Sequence, residues 1–174
     1  MKLSVKSFFT LAVAALILIG FSTTSAQRKY TGVKMCAACH KGEKNKNVYE
    51  KWVSSAHSKA FETLKTPKAM EIAKKKGIAK PTEDAGCLSC HATNGGTGTG
   101  VKKEEGVTCE ACHGAGSEYM PKNVMQNREL AVKKGLIMGT NDANLCKKCH
   151  NQKSPTYKPF TFAKDWEKIK HPSK

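Results

Sequence analysis

The chain has 174 residues, a formal net charge of +16, 39% hydrophobic residues, 8 cysteines and 6 histidines. That length suits one domain, and beyond the first two dozen positions no apolar run is long enough for a membrane span. So basic a composition on its own suggests nucleic acid or an anionic membrane, but no nucleic-acid module, glycine-rich phosphate loop or Ser/His/Asp set accompanies it.

Residues 1–26 read as a cleaved signal peptide. Lys2 and Lys6 form a positive start, Phe8 to Phe21 is an apolar run, and Thr24-Ser25-Ala26 makes a small-residue cleavage site before Gln27. The mature protein is then residues 27–174, one domain exported to the periplasm, with no membrane insertion after cleavage. Asn45 to Leu64 is expected to be helical: Val48, Trp52, Ala56, Ala60 and Leu64 recur every four residues, with Val53, His57 and Phe61 beside them. Thr66-Pro67 has the form of an N-cap and a first-turn proline, and Gly77 follows Lys74-Lys75-Lys76 as a stop. Asn94 to Gly100 reads as a loop, Asn127 to Gly135 as a short helix, and Asn141 or Asp142 as the cap of a last helix. Pro155, Pro159 and Pro172 predict a largely irregular tail.

Cys-x-x-Cys-His occurs four times: Cys36 to His40, Cys87 to His91, Cys109 to His113 and Cys146 to His150. All eight cysteines, Cys36, Cys39, Cys87, Cys90, Cys109, Cys112, Cys146 and Cys149, fall inside these motifs. The spacing suits covalent attachment of haem c. Each thiol takes one vinyl group as a thioether, and the adjacent histidine supplies the proximal nitrogen to iron. Thiolate zinc sites and disulfides compete for Cys-x-x-Cys pairs, yet neither explains a histidine after the second cysteine in all four copies. The expected cofactors are therefore four haem c groups, with His40, His91, His113 and His150 as proximal ligands. The expected fold is mainly α with much irregular structure, a small multihaem cytochrome c fold organised around covalently bound haem rather than a side-chain core.

Two histidines lie outside the motifs, His57 and His171, and each is a candidate sixth ligand. Two haems then lack a distal histidine. Met35, Met70, Met120, Met125 and Met138 are the available methionines, and a methionine ligand raises the reduction potential above that of a bis-His haem.

Several segments resemble the cytochrome c-554 family of periplasmic tetrahaem cytochromes. These are Tyr30-Thr31-Gly32 before the first motif, Trp52-Val53-Ser54-Ser55-Ala56-His57-Ser58-Lys59-Ala60, Gly106-Val107-Thr108 running into the third motif and on to Gly116, and Lys170-His171-Pro172. The resemblance implies His57 as distal ligand of haem 3 and His171 as distal ligand of haem 4. It implies an open, five-coordinate haem 2. For haem 1 it implies a histidine just after the third motif, where this chain has Ser117-Glu118-Tyr119-Met120. Met120 is the expected substitute, with Tyr119 or an open site as alternatives.

The expected function is electron transfer between redox proteins, multihaem or acidic-surfaced, by a monomer that is not itself an enzyme. Nitric oxide-type reduction at an open haem and a haem-lined filament subunit are the alternatives. Without Lys2 and Lys6 the charge is +14, and eight haem propionates would bring it to about +6.

Overall fold

The computed structural model describes residues 27–138 and 142–172. The expected signal peptide and Asn141 lie outside them, whereas Asp142 is described and does cap a helix, accepting from the Asn144 amide at 2.9 Å.

Among the described residues the structure is α-helical, with no strand. The helices are α1 (Val33–His40), α2 (Val48–Val53), α3 (Pro67–Lys75), α4 (Ala85–His91), α5 (Cys109–His113), α6 (Lys122–Met125), α7 (Arg128–Lys133), α8 (Ala143–Lys147) and α9 (Phe162–Ile169). None is long and apolar enough to cross a membrane. Short 3-10 turns and irregular segments join them. Helices this short are not stable alone and must draw stability from what packs on them.

Side chains supply little of that packing. One cluster comprises Phe61, Leu64, Leu88 and Ala92, against which Cys87 packs; a second comprises Tyr119, Val124 and Ala131. For a chain of this size such cores are thin, which matches a fold whose apolar centre is supplied largely by prosthetic groups.

Local rules place several elements as expected. Thr66 Oγ1 accepts from the Ala69 amide at 3.2 Å to open α3. Gly77, at φ 68°, closes it, with the Ile78 amide donating to the Ala73 carbonyl. Asn127 caps α7 through the Leu130 amide at 3.0 Å. The 94–100 segment is a loop, with Asn94 and Gly95 left-handed.

One expectation is corrected. The helix expected over Asn45 to Leu64 ends at Val53, and residues 62–65 form a separate 3-10 turn. Serine hydroxyls compete with the helical ladder there: Ser54 Oγ donates to the Lys51 carbonyl at 3.0 Å and Ser58 Oγ to the Val53 carbonyl at 2.8 Å. The apolar stripe dissolves with the helix. Phe61 and Leu64 are buried, while Val53 and Ala56 are exposed. The tail is largely irregular, as expected, with one helix, α9, within it. Its Phe162 and Trp166 rings stack one turn apart at 5.8 Å, and Asp165 Oδ2 accepts from the Thr161 amide at 3.0 Å.

Candidate functional site: four Cys-x-x-Cys-His turns

Each motif is at a helical turn. The first, second and third fall in α1, α4 and α5, ending on the last helical residue, and the fourth begins in α8. On a helix, positions i, i+3 and i+4 share a face. Both thiols and the imidazole therefore leave the backbone on one side, as a doubly tethered ring with iron beneath it requires. Asp84 reinforces the second motif: its Oδ1 accepts from the Cys87 amide at 2.8 Å, and that bond holds the exposed carboxyl below the usual range. All eight cysteines are free thiols, and among the described residues no three His, Cys, Asp or Glu side chains converge as a metal cage. Disulfide pairing finds no support in this arrangement.

Two imidazole pairs stand out. The His57 and His150 rings lie 6.0 Å apart, inclined by 72°. The His113 and His171 rings lie 5.8 Å apart, inclined by 49°. Imidazoles bound from opposite sides to one metal, each at about 2 Å from nitrogen to metal, have centroids about 6 Å apart. The residues present therefore fit a bis-His iron at the third and at the fourth motif. The assignment is exchanged from that implied by the family resemblance. His57 faces the fourth motif rather than the third, and His171 faces the third rather than the fourth.

Several restraints fix these pairs. The Val107 amide donates to the His57 carbonyl at 2.9 Å, and Trp52 Nε1 donates to the Val107 carbonyl at 2.8 Å. Gly106 allows that approach. Its φ is 69°, and a Cβ there would stand 2.6 Å from the His57 oxygen. Phe160 stacks on His150 at 5.2 Å. His113 Nδ1 donates to the Ile137 carbonyl at 2.8 Å, leaving Nε2 as the free electron pair. In the same way His91 Nδ1 lies 2.7 Å from the Ala60 carbonyl and 3.0 Å from Thr63 Oγ1. A carbonyl only accepts, so the proton is on Nδ1 and Nε2 is available to iron. Burial, with a contribution from His150, lowers the pKa of His57. Burial, with a contribution from His171, lowers that of His113. Both effects favour the neutral imidazole that a metal requires.

With His57 and His171 placed at the fourth and third motifs, no further histidine remains for the first and second. Met120 is 39% exposed and follows Tyr119. Tyr119 is buried, and its hydroxyl donates to the Gly114 carbonyl at 2.8 Å. Burial, with a further contribution from Cys36, raises its pKa.

Thiols of different motifs perturb one another. The Cys36 and Cys109 thiols hydrogen-bond one another, which raises the pKa of Cys36 and lowers that of Cys109. Cys112 is pushed up to about 11, by burial first and then by Cys146. Cys149 is pushed up to about 12, by burial and then by its hydrogen bond with Cys90. The helix of the first motif packs on that of the third, and Cys149 Sγ lies 3.9 Å from the Ser89 carbonyl, which brings the fourth motif beside the second.

Some supporting residues were not singled out in the sequence. Glu110 is 1% exposed and binds backbone amides of Thr31, Gly32 and Gly116. Thr93 Oγ1 accepts from the Thr108 amide at 2.7 Å and meets Thr108 Oγ1 at 2.9 Å, joining the second motif to the third. Thr108 and Glu110 lie in the Gly106-Val107-Thr108-Cys109-Glu110 string, but nothing in a string shows which amides a carboxylate will meet.

Cys-x-x-Cys-His turns recurring in an α-helical chain with a thin core have the character of a multihaem c-type cytochrome. The family described as cytochrome c554 and c-prime matches residues 35–114, which hold the first three motifs. The curated cytochrome c-554 of Nitrosomonas europaea is 33% identical over 118 residues, 62% of this chain and 48% of the relative, so the match spans about half the relative's length. The solved reduced state of cytochrome c554 from Nitrosomonas europaea superposes with a TM-score of 0.51 at 27% identity, covering 82% of this chain and 79% of that one. Over these regions the chain is similar to the cytochrome c-554 family.

Proposed function

We propose that this protein is a periplasmic tetrahaem electron carrier. Its eight cysteines would hold four haem c groups, which supply one-electron iron chemistry. His40, His91, His113 and His150 would be proximal ligands. His171 would close haem 3 and His57 haem 4. The observation that carries the reading is the pair of facing imidazoles, 6.0 and 5.8 Å apart, each joining a motif histidine to a histidine from elsewhere in the chain. Irons closed on both sides by these imidazoles would exchange electrons and offer no site to a substrate.

Met120 is our assignment for the distal ligand of haem 1. It lies just after the third motif, where the family resemblance implies a histidine, and keeps its side chain partly open. Haem 2 would be five-coordinate, its proximal His91 well oriented by Ala60 and Thr63. Expected partners are redox proteins with acidic surfaces, matching the excess of lysine.

The open haem 2 supports the second reading, small-molecule chemistry of the nitric oxide type. The two are separated by adding nitric oxide to the reduced holoprotein and following consumption. Binding without turnover supports the carrier, and sustained turnover with a one-electron donor overturns the statement that it is not an enzyme. The haem count is tested by mass spectrometry of the purified protein: four covalent haems are expected, and fewer would contradict the tetrahaem assignment.

A further inference from the structure

The junction between the first and third motifs contains a buried carboxylate that haem attachment does not require. Glu110 sits between Cys109 and Cys112, and its residue is 1% exposed. Its Oε1 accepts from the Thr31 amide at 2.9 Å, Thr31 Oγ1 at 3.2 Å and the Gly116 amide at 2.7 Å. Its Oε2 accepts from the Thr31 amide at 3.1 Å and the Gly32 amide at 2.8 Å. The three amides can only donate, and the hydroxyl donates as well, so both oxygens act as acceptors. A proton on either oxygen would face donors. The carboxylate is therefore surrounded by donors alone.

Its surroundings are built closely around it. A Cβ on Gly116 would stand 2.9 Å from Oε1 and 3.1 Å from Thr31 Oγ1. Gly32, whose amide binds Oε2, is the N-cap of α1, the helix that carries Cys36 to His40. The same carboxylate is one residue from Cys109, and α1, which carries Cys36, packs on α5, which carries Cys109. A fixed negative charge thus lies against the attachment points of two different haems, away from solvent that would screen it.

We propose that Glu110 is a built-in electrostatic tuner that lowers the reduction potentials of haems 1 and 3 together, relative to haems 4 and 2. A nearby anion stabilises the more positive ferric state. Removing it should favour the ferrous state at both haems by roughly tenfold each, about 59 mV for a one-electron couple. This rests on the proposed tetrahaem reading, whose failure would show separately as a wrong haem count by mass spectrometry.

The test is spectroelectrochemical titration of the holoprotein with haem-resolved signals, comparing Glu110→Gln, Thr31→Val and Glu105→Gln with wild type. Glu110→Gln should raise two of four midpoints and leave two in place. Thr31→Val keeps the charge and removes one hydroxyl donor from it, so the same two midpoints should fall. Glu105, which accepts from the Val33 amide at 3.2 Å, is only half-buried, and Glu105→Gln should shift them less. Opposite signs for the first two variants are not expected of a purely structural role. If Glu110→Gln fails to mature, the downward shift in Thr31→Val decides. Unchanged midpoints in the variants that carry four haems would overturn the proposal, as would equal shifts of all four haems.

Discussion

At the scale of single residues the proposed ligands would make unequal sites. His57→Ala should convert one low-spin bis-His haem to high spin, and that haem should be the one carried by Cys146 and Cys149. His171→Ala should do the same to the haem carried by Cys109 and Cys112. Haem-resolved paramagnetic NMR of each variant checks the assignment, and the reverse result would restore the pairing implied by the family resemblance. Met120→Ala should abolish a His/Met charge-transfer band and leave the bis-His signals unchanged; survival of that band removes Met120 from haem 1. The lowered pKa values of His57 and His113 also set a pH dependence. Between the folded pKa and the unfolded value near 6.5, the unfolded chain binds more protons than the folded one. Stability is therefore full above pH ~6.5 and falls as the solution is acidified toward the folded pKa. Metal binding to the neutral ring acts in the same direction. Following the low-spin spectrum against pH should show loss on the acid side only, and loss on raising the pH from neutral would contradict it.

At the scale of elements, placement of His57 depends on a segment distant in sequence rather than on a helix. Gly106→Ala would put a Cβ against the His57 carbonyl and strain a left-handed residue, costing about 1–2 kcal/mol or more. We expect lowered thermal stability together with a rise in high-spin haem. Trp52→Phe loses only the bond to Val107, about 1 kcal/mol, and should give a smaller version of the same change. A fall in stability with no change in spin state would show that this segment does not hold the ligand. What was legible in advance follows from range. Thr66-Pro67, Asn127, Asp142 and Gly77 were readable because a cap acts within three or four residues. The four motifs were readable because attachment chemistry needs local spacing. The break after Val53 was not, because period-four apolar residues suggest a helix while Ser54 and Ser58 decide otherwise. Helix α9 was hidden by counting prolines, although Phe162, Trp166 and Ile169 have helical spacing and none of those prolines falls inside it. The exchange of His57 and His171 depends on Ile137, Phe160 and Val107, contacts between distant residues that no local pattern contains.

At the scale of the whole molecule, the thin side-chain core and the packing of motifs on one another describe a chain wrapped on its cofactors. Expressed without haem attachment, it should lose cooperative thermal unfolding, which circular dichroism would detect; a cooperative apo transition would show that side chains suffice. The excess of positive charge should speed electron exchange with an acidic redox partner at low salt, with a rate that declines as ionic strength rises. A salt-independent rate would argue against docking through lysines. The central claim is that four chemically similar attachment motifs carry haems with different ligation. Low-temperature electron paramagnetic resonance of the ferric holoprotein, read together with its near-infrared magnetic circular dichroism, tests this most directly. The account predicts two bis-His haems, one His/Met haem and one high-spin haem; four bis-His or otherwise uniform low-spin haems, with no high-spin component, would contradict it.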